Sequence, residues 1–138
     1  MRFKFLEDIA TADVAFEAYG KNIEEAFSNA AVAMFEVQTD VEKVNPSESK
    51  NVEVVSESLE SLLFDWLSEL LYLRDTTGLF FSKFDIKIDC GKQFKLTGKV
   101  YGDKIAGHEL KTEVKGVSYQ MMKIEEKPDF KIRVILDV

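Results

Sequence analysis

The chain has one cysteine, Cys90, one histidine, His108, and two prolines, Pro46 and Pro128, in 138 residues. One thiol excludes an internal disulfide, and with it the stapled scaffolds typical of small secreted domains. A lone imidazole and a lone thiol cannot assemble a Cys/His zinc site within one chain. A Ser-His-Asp triad would have to use His108, and no serine sits in a glycine-flanked nucleophile elbow. His108 itself, in the stretch "IAGHELK", reads as a surface loop residue. The 7 glycines are scattered, so neither a Walker loop nor a dinucleotide fingerprint is present. No catalytic or nucleotide-cofactor residue is assigned. Apolar runs are too short for a membrane span. The opening "MRFKFLEDIATAD" lacks the apolar stretch that a secretory signal places after its basic residues. The expectation is a cytoplasmic protein with no membrane partner. Basic residues are also in deficit, 18 Lys and Arg against 25 Asp and Glu, for a net charge of -7. Nucleic-acid affinity comes mainly from neutralising phosphates, so this balance disfavours a DNA partner and a free-standing RNA clamp.

What remains is an ordinary globular composition, 46% hydrophobic and 31% charged, long enough for one domain with its own core. In "NIEEAFSNAAVAMF", Ile23, Ala26, Phe27, Ala30, Ala31 and Met34 form one helical stripe, with Asn22 and Glu25 spaced as a capping box. In "SLESLLFDWLSELLYL", Leu59, Leu62, Leu63, Trp66, Leu67, Leu70 and Leu71 repeat that period, with Ser58 as N-cap and Gly78 at the exit. Strand-like alternation marks "DVAFEAYG", "NVEVVSE", "FSKFDIKID", "KQFKLTGKVYG", "VSYQMMKIEE" and "FKIRVILDV". "VEKVNPSESK" reads as a polar linker too short to divide domains. Short connections in the second half argue for antiparallel pairing. The predicted fold is α+β: a single-domain sandwich over residues 1–138, with a mixed, largely antiparallel sheet and two amphipathic helices on one face.

Oxygen donors are the plentiful chemical resource. Asp137 precedes Val138, so its side chain and the terminal carboxylate can meet at one point, since adjacent Cα atoms lie about 3.8 Å apart. Two such charges roughly 4 Å apart repel by about 4 kcal/mol at an effective dielectric near 20. Solvent or a cation must relieve that. Asp13 becomes a third donor if its strand pairs with the last one, and an all-oxygen set suits Ca²⁺ or Mg²⁺. The alternatives are that Asp13 is an Asx-type turn residue and Asp137 a solvated terminus.

The segments "TADVAFEAYGKNIEEAFSNAAVAMF", Thr39-Asp40, "ESLLFDWLSELLYL", "EVKGVSYQMM" and "ILDV", in this order, resemble the archease family. The resemblance implies a compact α+β domain that is not itself an enzyme. It would be an accessory activator of the RtcB-type RNA ligase that joins tRNA halves. It would promote GTP-dependent guanylylation of a ligase histidine and so sustain turnover, meeting tRNA only through the ligase. It also implies a metal site formed by Asp13, Asp137 and the terminal carboxylate of Val138, holding calcium or magnesium. Asp40 and Lys115 match family positions, Asp40 as a helix-exit residue or part of the acidic surface, Lys115 as a partner of the acids or of phosphate. Ala10 stands where many members have histidine, and Gly116 and Ser118 replace the commoner Ala and Thr. A rival reading is a metal-independent chaperone or modulator of a tRNA-modifying enzyme of the methyltransferase type, which would need an exposed apolar or basic patch. A metal-dependent hydrolase has ligands here but no general base.

Overall fold

The computed structural model describes residues 1–7 and 13–138; Ala10, Thr11 and Ala12, the first two residues of the "TAD" stretch among them, lie outside the described residues. In chain order the elements are β1 (Phe3–Leu6), β2 (Asp13–Gly20), α1 (Ile23–Gln38), β3 (Glu48–Ser56), α2 (Leu59–Thr77), β4 (Leu79–Cys90), β5 (Phe94–Lys104), β6 (Gly116–Glu125) and β7 (Phe130–Asp137). The predicted sheet is divided in two, ordered β1-β2-β7-β6 and β3-β5-β4, and every described pair is antiparallel. No parallel pair arises among the described residues because β2 and β3, which flank α1, belong to different sheets, and β3 and β4, which flank α2, are separated by β5.

Both helices start as their sequences dictate. The Asn22 side chain accepts from Glu25 N at 2.8 Å, although Glu25 reaches back to Lys21 N, not to the cap residue's own N–H. Ser58 and Ser61 close a complete capping box on α2, and Gly78 ends it in the left-handed conformation at φ 69. The α1 stripe packs on β2 and β7 of one sheet and on β4 of the other, and α2 packs on β6 and on β3, β4 and β5. The helices thus join two sheets that share no strand pairing among the described residues. Trp66 is fully buried at the centre, with its indole N–H donating to Phe27 O at 3.0 Å. Gly20 is required where β2 meets α1, because a Cβ there would lie 2.3 Å from Ala26 N. This contact fixes the helix closely against the strand that begins at Asp13.

Two differences from the sequence reading stand out. "VEKVNPSESK" is more ordered than a linker: Val41–Lys43 forms a short 3-10 turn and Glu48–Lys50 already belongs to β3. His108 lies in the expected loop, but its ring is turned inward, only 14% exposed, with Nε2 2.6 Å from Asp103 Oδ1. The carboxylate, itself held by Asn45 N, gives the imidazole a better partner than water alone. Among the described residues no helix is long and apolar enough to cross a membrane.

Candidate metal centre

Alternation along β7 turns Ile132, Val134 and Leu136 into the core, all fully buried, while Lys131, Arg133, Ile135 and Asp137 face outward. On β2 the inward residues are Val14, Phe16 and Ala18, leaving Asp13, Ala15, Glu17 and Tyr19 outward. The register makes Asp13 the direct partner of Asp137, so the pairing required for a third donor is present. Both are exposed, and among the described residues neither makes an ion pair. Like charges directly opposite each other are unfavourable in a sheet. Val138 continues the inward phase and packs its side chain against the core, which ties down the residue bearing the terminal carboxylate.

The other edge of β7 is equally fixed. Gly116 of β6 is a register partner of Asp137, and Lys115 N donates to Asp137 O at 2.7 Å. The Lys115 side chain is exposed and forms no ion pair among the described residues. The segment before it is tied to the end of α1, with Lys111 N and Thr112 N donating to Gln38 O and Val37 O. The last turn of α1 contains no basic residue, so its carbonyl end adds a partial negative charge at this end of the domain. Asp40, just beyond, does not join the Asp13–Asp137 pair; it forms a 3.8 Å ion pair with the exposed Lys43. Glu36 pairs with Lys111 at 2.9 Å, and this bond, outweighing partial burial, holds the ammonium pKa above its ordinary value.

The donors suit a hard cation: two opposed aspartates and a chain terminus supply oxygen alone. Among the described residues no three His, Cys, Asp or Glu side chains group to hold a metal, so the two aspartates by themselves do not make up a ligand set. Two features near the site escaped the sequence reading. Arg74 of α2 is buried, with Nη1 donating to Gln38 Oε1 at 2.7 Å and to Val114 O at 2.9 Å. Its signal was present: seven residues after Leu67, Arg74 continues the apolar stripe where a charge needs a partner. Two rows along the same outward face, Glu17 is buried and accepts from Tyr19 Oη at 3.1 Å and Arg133 Nη2 at 3.3 Å. Burial pushes the Glu17 carboxyl up, but those bonds and the Lys131 and Arg133 charges outweigh it, leaving its pKa below the ordinary value.

The model of the Archease protein family (MTH1598/TM1083) matches residues 3–138. The chain belongs to the archease family. It is 49% identical to the protein archease of Methanothermobacter thermautotrophicus, over 99% of this chain and 98% of that relative. Against the protein archease of Sulfurisphaera tokodaii the identity is 45%, over 95% and 94% of the two chains. The solution structure of Methanobacterium thermoautotrophicum protein 1598 superposes with a TM-score of 0.87 at 48% identity, covering 99% of each chain.

Proposed function

We propose that this chain is a protein cofactor of an RtcB-type tRNA-splicing RNA ligase, and not an enzyme in its own right. In this reading it promotes GTP-dependent guanylylation of the ligase and supports multiple turnover. Asp13, Asp137 and the Val138 terminal carboxylate hold a divalent cation, calcium or magnesium. The observation that carries the reading is the in-register opposition of Asp13 and Asp137 at the end of the last strand. Family membership supports the partner assignment.

The cation, when bound, supplies positive charge that can neutralise phosphoryl oxygens at a nucleotide site. The chain's own contribution is preorganisation. Antiparallel pairing sets the two aspartates opposite each other, Val138 anchors the terminus in the core, and the acidic surface favours approach to a basic ligase active site. The test is ligase guanylylation with GTP and Mg²⁺, with and without substoichiometric archease. Stimulation is expected with the native chain and should disappear with Asp137→Ala; equal stimulation by a folded Asp137→Ala protein would refute the metal role.

One observation favours the rival reading, a metal-independent modulator of a tRNA-modifying enzyme. The edge strand β6 loses register between Ser118 and Lys123, and its bulge exposes Tyr119 and Met121, 50% and 51% accessible, with Tyr119 stacked on Phe64 at 4.7 Å. In that case Tyr119→Ser would abolish the effect on the partner while Asp13→Asn left it intact.

A further inference from the structure

The carbonyl of Val114 and the N–H of Lys115 belong to a single peptide unit, and the two ends of that unit are held by different parts of the fold. On one side Arg74 Nη1 donates to Val114 O at 2.9 Å; on the other, Lys115 N donates to Asp137 O at 2.7 Å. Behind the guanidinium, Gln38 Oε1 accepts from the same Nη1 at 2.7 Å, while Gln38 Nε2 donates to Met34 O at 3.2 Å. The order of the chain is therefore Met34 O, the Gln38 amide, Arg74, the 114–115 peptide and the Asp137 carbonyl. Gln38, Arg74 and Val114 are 3%, 9% and 0% exposed, so water is a poor competitor for these bonds.

We infer that Arg74 is a positioning residue for the carboxylate site: acting through the 114–115 peptide, it fixes the backbone of Asp137 and so the aim of the Asp137 and terminal carboxylates. The physical reason is polarisation. A guanidinium is always charged, and its hydrogen bond to a carbonyl is stronger than a neutral one. Drawing electron density toward Val114 O makes the N–H of the same peptide a better donor, so the bond to Asp137 O strengthens in turn. The edge of β7 facing β6 is thereby closed at the residue whose other side faces Asp13. Nothing comparable is available to an ordinary strand end, which frays because its last bonds are open to solvent. Arg74 also donates from Nε to Asp75 Oδ1 at 2.9 Å, but Asp75 is 65% exposed, so that pair alone does not account for the burial of the guanidinium.

This inference rests on the cation reading of the Asp13–Asp137 site, and the experiment separates the two. Amide hydrogen exchange and backbone ¹⁵N shifts are recorded without metal, then during titrations with Ca²⁺ and with Mg²⁺, for the native chain and for Arg74→Met, Arg74→Lys and Gln38→Met. In Arg74→Met the Lys115 amide should exchange faster, and cation affinity read at Asp13, Asp137 and Val138 should fall about tenfold, as when a ligand-orienting partner is removed. Arg74→Lys retains a donor and should recover part of both effects. Gln38→Met keeps the bond to Val114 O and should show the smaller loss; it also serves where Arg74→Met does not fold. If the native chain binds the cation and folded Arg74→Met binds it equally well, the positioning role is overturned and the metal reading survives. If the native chain binds neither cation, the metal reading fails and takes this role with it.

Discussion

On the outward face of β2 and β7, the fold handles buried and crowded carboxylates in two opposite ways, two rows apart. Glu17 has Arg133 as its register partner and receives bonds from Arg133 and from Tyr19, with Lys131 Nζ 4.0 Å from its carboxylate. Asp13 has Asp137 as its register partner. Between them Ala15 and Ile135, both buried, separate the rows. Four residues along a strand is about 13 Å, longer than the screening length of about 8 Å at physiological salt. Arg133 and Lys131 are thus too distant to compensate the aspartates. One row is balanced by ion pairs within the chain, whereas the other makes none among the described residues. That contrast on one strand pair is what separates a structural carboxylate from a candidate ligand.

Making the second row resemble the first should have the largest effect. Asp137→Lys sets an ammonium opposite Asp13, as Arg133 stands opposite Glu17. Calorimetric titration should then show Ca²⁺ and Mg²⁺ binding abolished, and ligase stimulation should disappear with it. Stability without metal should hold or rise by about 0.2–1 kcal/mol, the range for replacing a like-charge cross-strand pair with an opposite one. Cation binding that survives this change would show that the aspartate pair is not the site.

Making the first row resemble the second comes next. Arg133→Met leaves the buried Glu17 carboxylate with Tyr19 and the more distant Lys131. Urea denaturation should report a loss of about 1–2 kcal/mol, the scale of an unmade bond to a charged group. The lower end is favoured because the Arg133 side chain is 34% exposed and its Nε is buried without a partner among the described residues. Cation affinity at the other row should be unchanged. A loss of affinity as large as that from Asp137→Lys would mean that the rows are coupled and that the separation argument fails.

How much of this was legible in the sequence follows the range of the forces involved. The helices were readable because stripe, cap and αL exit are set within a few residues of one another, as Asn22, Ser58 and Gly78 demonstrate. β1 was missed because four residues, Phe3–Leu6, offer too short an alternation to distinguish from a tail. The division into two sheets depends on non-local pairings, above all that of β2 with β7, more than a hundred residues apart, and local pattern carries no information about them. Of the candidate site, the two carboxylates at the chain end were visible because they are adjacent in sequence. Their opposition to Asp13 could be posed only as a condition on strand pairing. Arg74 was not singled out from the sequence, because its acceptor Val114 lies 40 positions away.

Acid titration gives the finest comparison between the rows, and its sign is fixed by the direction of the Glu17 shift. The folded-state pKa of Glu17 is depressed below its ordinary 4.5, so its ionised form is favoured by folding. A depressed carboxyl contributes stability that is fully present above the unfolded-state value and is lost as pH falls through the folded-state value. The stability gap between the native chain and Arg133→Met should therefore be constant from pH 7 down to about 5 and narrow below 4.5, as Glu17 takes up a proton and Arg133 loses its partner. Tyr19 provides the matching check at the alkaline end. Burial, and then its bond to Glu17, raises the phenol above its ordinary 10.0. Folding therefore favours the protonated phenol, and its contribution should fade as pH climbs through that raised value. Urea midpoints measured across both limbs distinguish this origin from generic acid unfolding. A gap that stays constant below pH 4 would mean that Arg133 stabilises the fold by packing its alkyl stem, with no contribution from the charge of Glu17.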